Sequence, residues 1–209
     1  MSADAVSVLS VARILPVLTV PSASMAVPLA EALAMGGALC AEVTFRTWAA
    51  EDVVKKMVGH GGIVVGAGTV VTAEQAERAV AAGARFVVSP GFDVGVVAVC
   101  RAAGIPVVPG IATATELMKA LRAGTDTVKL FPAEPLGGIR MVRALAAPFP
   151  QARFVPTGSI GPEQAPAYLA HPSVVAVGGS WMATPRHMQR GEWAEVRRLT
   201  AEAVQRSAT

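Results

Sequence analysis

The chain has 209 residues, 53% of them hydrophobic and 16% charged, with 18 Lys and Arg against 15 Asp and Glu. That length suits one domain with a large core, here expected to span residues 1–209, and lies near the lower limit of a complete eight-stranded β/α barrel. The apolar stretches are broken by Gly, Pro or charge before reaching the roughly 20 residues of a membrane-spanning helix, and the net charge of +3 is scattered rather than drawn into a basic stripe, which speaks against a membrane protein and against nucleic acid as a partner.

Residues 1–11 carry Asp4 and lack a basic region, a long apolar run and a cleavage site, so a short N-terminal helix is expected rather than a secretory signal, and the cytoplasm is the expected location. Short apolar runs then alternate with Ala-rich segments of helical period, the grammar of βα units around a parallel sheet. The runs are 13–20, 39–45, 63–67, 86–89, 106–109, 127–131, 153–157 and 174–178, mostly apolar throughout, as strands covered on both faces should be. Eight of them favour a closed (β/α)8 barrel over an open sheet.

The predicted helices between these runs carry end signals. Gly36, Gly83, Gly104 and Gly124 each follow a helical segment and precede a strand, where a left-handed residue closes the last turn. Thr72 with Gln75 and Thr113 with Glu116 have capping-box spacing at the first turns. Residues 192–206 read as a closing amphipathic helix, with Trp193, Val196, Leu199 and Val204 at roughly helical spacing.

In a parallel barrel the chemistry belongs at the C-terminal strand ends. On the second run, alternation places Glu42, Thr44 and Arg46 on one face, giving either a carboxylate and a guanidinium inside the barrel or a local Glu42–Arg46 ion pair. After the third, Gly66-Ala67-Gly68-Thr69-Val70 lacks the full spacing of a dinucleotide fingerprint, so its glycines are read as giving room. Lys55, Lys56 and Lys119 fall in helical segments, whereas Lys129 stands on the sixth run among apolar neighbours. An amine held there loses hydration, which favours its neutral, nucleophilic form, although a structural pairing with a carboxylate would satisfy the same position. Two glycine segments follow the seventh and eighth runs, Pro156-Thr157-Gly158-Ser159-Ile160-Gly161 and Val177-Gly178-Gly179-Ser180-Trp181, and read together as a phosphate cradle.

Other chemistries have less support. Cys40 and Cys100 are isolated and apolar in setting, so they read as core residues. His60, His171 and His187 are dispersed without metal-binding spacing, and solvent or capping roles suit them better; no metal and no cofactor are expected.

Seven ordered motifs then bring out a resemblance: Glu42-Val43-Thr44-Phe45-Arg46-Thr47, Val65 to Val70, Ser89-Pro90-Gly91, Pro109-Gly110-Ile111-Ala112-Thr113, Lys129-Leu130-Phe131-Pro132-Ala133-Glu134, Pro156-Thr157-Gly158 and Gly178-Gly179-Ser180-Trp181. Along nearly its whole length the chain resembles the bacterial class I aldolases of 2-keto-3-deoxy-6-phosphogluconate (KDPG) and 4-hydroxy-2-ketoglutarate (KHG), enzymes of the Entner–Doudoroff pathway. The resemblance implies Lys129 as the Schiff-base residue, Glu42 as proton carrier, and Arg46 and Thr69 on the pyruvyl carboxylate. Pro90, Phe131 and Thr157 would line the pocket, and Gly158, Ser159, Gly179 and Ser180 would hold phosphate. It also implies a 2-keto acid substrate, pyruvate as product and a homotrimer. Ser159 departs from the family's usual Thr-Gly-Gly-Ile, and if that position needs a positive φ the serine carries a cost. An aldolase for the galactonate epimer or for unphosphorylated keto acids, and a non-catalytic barrel that binds a sugar phosphate, remain as alternatives.

Overall fold

A computed structural model describes residues 5–207. Each predicted strand run overlaps a parallel strand: β1 (Ile14–Leu18), β2 (Cys40–Thr44), β3 (Val64–Gly68), β4 (Val87–Val88), β5 (Val107–Val108) continued by β6 (Gly110–Ile111), β7 (Thr127–Leu130), β8 (Arg153–Phe154) and β9 (Val177–Gly179). Six strands hydrogen-bond in the order β5-β4-β3-β2-β1-β9 and three in the order β6-β7-β8. The two arcs form one barrel. Pro109 interrupts the fifth run, because it has no N–H to donate, but its carbonyl still accepts from Lys129 N at 2.9 Å. On the other side Phe154 bridges Val174 and Thr157 bridges Gly178. This is the expected α/β barrel, with most strands shorter than the apolar runs that announce them and β3 and β9 each reaching one residue past theirs.

Helices α2 (Ala26–Met35), α3 (Ala50–His60), α4 (Ala73–Ala81), α5 (Val94–Ala102), α6 (Ala114–Arg122), α7 (Ile139–Ala146), α8 (Ala165–Leu169), α9 (Pro185–Gln189) and α10 (Trp193–Ser207) occupy the connections and the C-terminal end. Thr113 and Glu116 form the reciprocal capping box. At α4 the box is altered: Thr72 accepts from Gln75 N, but the Gln75 amide oxygen takes the N–H of Val71 at 2.8 Å. His187 completes a second reciprocal box with Thr184, and the ring of His171 accepts from Ser173 N at 3.2 Å.

Gly83, Gly104 and Gly124 have the positive φ expected of them, but at the end of α2 the left-handed residue is Gly37, not Gly36. Gly36 is needed for proximity. A Cβ there would lie 2.6 Å from Cβ of Thr200, so its bare Cα lets α2 and α10 touch. The buried face of α10 is accordingly Val196, Thr200, Ala203 and Ser207, while Trp193, Leu199 and Val204 are half-buried.

The barrel is plugged from below. Helix α1 (Ala5–Ala12) sends Leu9 into a cluster with Leu15, Cys40, Phe86, Val88, Val108, Val155 and Ala176. Complete burial of one leucine contributes roughly 1.5–3 kcal/mol, and this floor fills the N-terminal half of the interior. Room for polar groups is left at the C-terminal half.

Candidate active site

Strand alternation decides what enters that space. On β7, Val128 and Leu130 join the core between strands and helices, which turns Lys129 to the inside. On β2, Ala41 and Val43 do the same, leaving Cys40, Glu42 and Thr44 facing inward. Lys129 and Glu42, 87 residues apart in sequence, meet there with Nζ 3.2 Å from Oε1. Glu42 is fully buried and Lys129 is 4% exposed. The amine also lies 5.3 Å from the centroid of the Phe131 ring. Oε2 of Glu42 has no hydrogen-bond partner among the described residues. A buried carboxylate with one oxygen on an amine and the other uncommitted can exchange a proton with that amine and with a third group.

Glu42 therefore pairs with Lys129, and the local Glu42–Arg46 ion pair does not form. Arg46 is exposed at the barrel mouth, where Nε donates to Thr44 Oγ1 at 3.3 Å and Nη2 to Thr19 Oγ1 at 2.5 Å. Thr69 starts the neighbouring loop, placed beside the Arg46 loop by the Thr44–Gly68 register and by the bond from Phe45 N to Gly68 O at 2.7 Å. Its φ of +55 is unusual for a β-branched residue, and such strain collects at sites where a backbone must be aimed. Pro90 follows β4, in a turn fixed by Ser89 Oγ donating to Gly91 O at 2.7 Å. Its backbone crosses Gly110 where a Cβ would stand 2.1 Å from the Pro90 carbonyl carbon. Phe131 is half-buried and Thr157 buried.

The two glycine segments are neighbours through the bridge between Thr157 and Gly178. Gly158 and Ser159 both have positive φ, +111 and +60, so Ser159 does occupy a conformation that favours glycine. Gly179 lies under the indole of Trp181, with no space for a Cβ. The hydroxyls of Ser159 and Ser180 sit on exposed residues at the ends of β8 and β9.

Sequence reasoning missed Thr19, whose contact with Arg46 depends on β1 lying next to β2. It also missed the latch in which the Tyr168 hydroxyl donates to Glu134 Oε1 at 2.5 Å. With Glu134 N bonded to Gly158 O at 3.2 Å, this latch ties the loop after β7 to α8 and to the Gly158 turn. Burial and the Glu134 carboxylate raise the Tyr168 hydroxyl well above its ordinary pKa, which keeps it a donor.

The family model for KDPG and KHG aldolase matches residues 5–199. A 2-dehydro-3-deoxy-phosphogluconate aldolase of Treponema pallidum is 48% identical over 92% of each chain. The KDPG aldolase of Legionella pneumophila, solved with pyruvate captured as a covalent carbinolamine, superposes with a TM-score of 0.92 at 36% identity, covering 96% of this chain and 98% of that one. The 2-keto-3-deoxy-6-phosphogluconate aldolase of Zymomonas mobilis with 3-phosphoglycerate gives a TM-score of 0.88 at 40% identity, over 94% and 93% of the chains.

Proposed function

The chain belongs to the KDPG and KHG aldolase family, and from that premise we propose that it is a class I aldolase cleaving 2-keto-3-deoxy-6-phosphogluconate reversibly to pyruvate and glyceraldehyde 3-phosphate, with action also on 4-hydroxy-2-ketoglutarate. The observation that carries the reading is the buried contact of Lys129 Nζ with Glu42 Oε1 at 3.2 Å, inside the C-terminal half of a parallel barrel.

A proton passes from Lys129 to Glu42, and the neutral amine adds to the C2 ketone to form a carbinolamine. The Glu42 carboxylic acid protonates the departing hydroxyl, which leaves as water and produces an iminium. Glu42, again a carboxylate, accepts the C4 hydroxyl proton while the C3–C4 electron pair flows into the iminium. The aldehyde departs, an enamine remains, and Glu42 returns its proton to C3. Water then adds to the pyruvyl iminium with Glu42 as base, and collapse of the second carbinolamine frees pyruvate and the amine. One carboxylate can serve every proton transfer because its Oε2 is held by no hydrogen bond among the described residues.

Arg46 and Thr69 hold the keto acid carboxylate in this scheme, and Pro90, Phe131 and Thr157 wall the reacting carbons. Gly158, Ser159, Gly179 and Ser180 take the phosphate through backbone N–H groups and hydroxyls. The reading extends to one catalytic domain over residues 1–209, active as a cytoplasmic homotrimer in the Entner–Doudoroff pathway, with family membership as its support.

Borohydride reduction in the presence of pyruvate tests the chemistry. The expected product is a covalent adduct mapped by mass spectrometry to the peptide carrying Lys129; an unmodified Lys129 during turnover would overturn the mechanism.

A further inference from the structure

At the mouth of the site the guanidinium of Arg46 is held by two hydroxyls. Nε donates to Thr44 Oγ1 at 3.3 Å and Nη2 to Thr19 Oγ1 at 2.5 Å. The two hydroxyls are 3.1 Å apart, and Thr44 Oγ1 lies 2.9 Å from the Leu18 carbonyl oxygen. A carbonyl can only accept, so the single Thr44 proton goes to Leu18 O. The hydrogen bond between the hydroxyls must then run from Thr19 to Thr44, which leaves the Thr19 lone pairs to accept from Arg46. Only one proton arrangement satisfies all four contacts.

We infer that Thr19 is a positioning residue for the aldol reaction, fixing the plane of the Arg46 guanidinium so that its remaining N–H groups meet the carboxylate of a 2-keto acid. Two of the five Arg46 N–H donors go to neutral oxygens, and three stay available. Hydroxyls orient the group without neutralising it, as a carboxylate partner would. Thr19 comes from the loop after β1, is half-buried, and its hydroxyl bonds with Arg46 and Thr44, so its influence on the substrate runs through the guanidinium. The inference rests on the assignment of Arg46 to the substrate carboxylate.

The test replaces Thr19→Val, which keeps shape and removes the hydroxyl, and Thr19→Ser, which keeps the hydroxyl. Pyruvate-dependent borohydride trapping at Lys129 and steady-state cleavage of KDPG are measured for both and for the parent. Thr19→Val is expected to raise the pyruvate concentration for half-maximal trapping and the KM about fivefold to tenfold, the scale of one weakened charge-assisted hydrogen bond, with kcat within about twofold. Thr19→Ser is expected to restore parental values. Equal half-saturation in parent and Thr19→Val overturns the inference, as does a Thr19→Ser protein that behaves like Thr19→Val. Should Thr19→Val fail to fold, Thr19→Ala carries the same expectation. A parent that shows no trapping at all would overturn the aldolase reading itself, a result distinct from either of these.

Discussion

The carboxylate of Glu42 lies across Gly68, so closely that a Cβ on Gly68 would stand 2.0 Å from Oε1 and 2.2 Å from Cγ. Glu42 and Gly68 are on neighbouring strands, with Thr44 opposite Gly68 in the register. The absent side chain at one position is what allows the carboxylate at the other to reach Lys129. Gly66 makes the same provision one layer lower for the ring of Phe86, and Gly178 for Thr157.

Gly68→Ala should therefore displace Glu42, the proposed proton carrier, and disconnect it from Lys129. The expected result is a fall in kcat of about 10²-fold or more, the lower range of general acid–base contributions, with about 1–3 kcal/mol of destabilisation from overpacking. Steady-state kinetics and urea denaturation check the two parts. A parental kcat in a folded Gly68→Ala protein would show that Glu42 need not occupy this position.

Lys129→Met should abolish lyase activity and also destabilise the fold, since it leaves the fully buried Glu42 without its amine. Removal of one partner of a buried pair costs about 3–5 kcal/mol. Adding Glu42→Gln should recover part of that loss by removing the stranded charge. The denaturation midpoints of the parent, the two single variants and the double variant measure it, and simple additivity would contradict the pairing.

Ser159→Gly should raise stability by about 1 kcal/mol, because a side chain in the left-handed region costs roughly that much and glycine does not bear it. The backbone donors stay in place. If the serine hydroxyl contributes to phosphate binding, KM for the phosphorylated substrate rises while kinetics on 4-hydroxy-2-ketoglutarate hold constant, a comparison that separates strain from recognition.

The cysteines give a prediction in pH. Burial pushes the Cys40 thiol up to about 12 and the Cys100 thiol up to about 11. The folded state thus retains protons that the unfolded chain loses above its ordinary thiol range, near 8.5. Stabilisation from the buried neutral thiols is complete below that pH and is lost as pH rises toward 11 and then 12. Native protein at pH 8 should react with a thiol-specific disulfide reagent only at the rate of unfolding, with two thiols titrating rapidly in denaturant. Rapid modification without denaturant would refute the burial of these groups.

Much of the barrel was legible because its determinants act over short stretches of chain. Apolar runs, the Thr113–Glu116 box and the glycines at 83, 104 and 124 need only their neighbours in sequence to be recognised. Gly36 shows the limit of that reasoning: the left-handed turn falls one residue later, and Gly36 answers instead to Thr200 on a helix far along the chain. The fifth run was also read correctly as strand but stopped at Pro109, although β6 resumes at Gly110 once neighbouring strands supply hydrogen bonds.

The amino-acid sequence by itself determined the βα alternation, the family and the residues able to carry the chemistry, since each is written in local composition, spacing or ordered motifs. Tertiary structure alone decided that Glu42 turns to Lys129 and not to Arg46, and that Thr19 and Thr44 hold the guanidinium. The physical reason is closure of the barrel: inward-facing side chains choose partners by distance across a shared interior, and those distances are set only when distant strands are hydrogen-bonded into a ring.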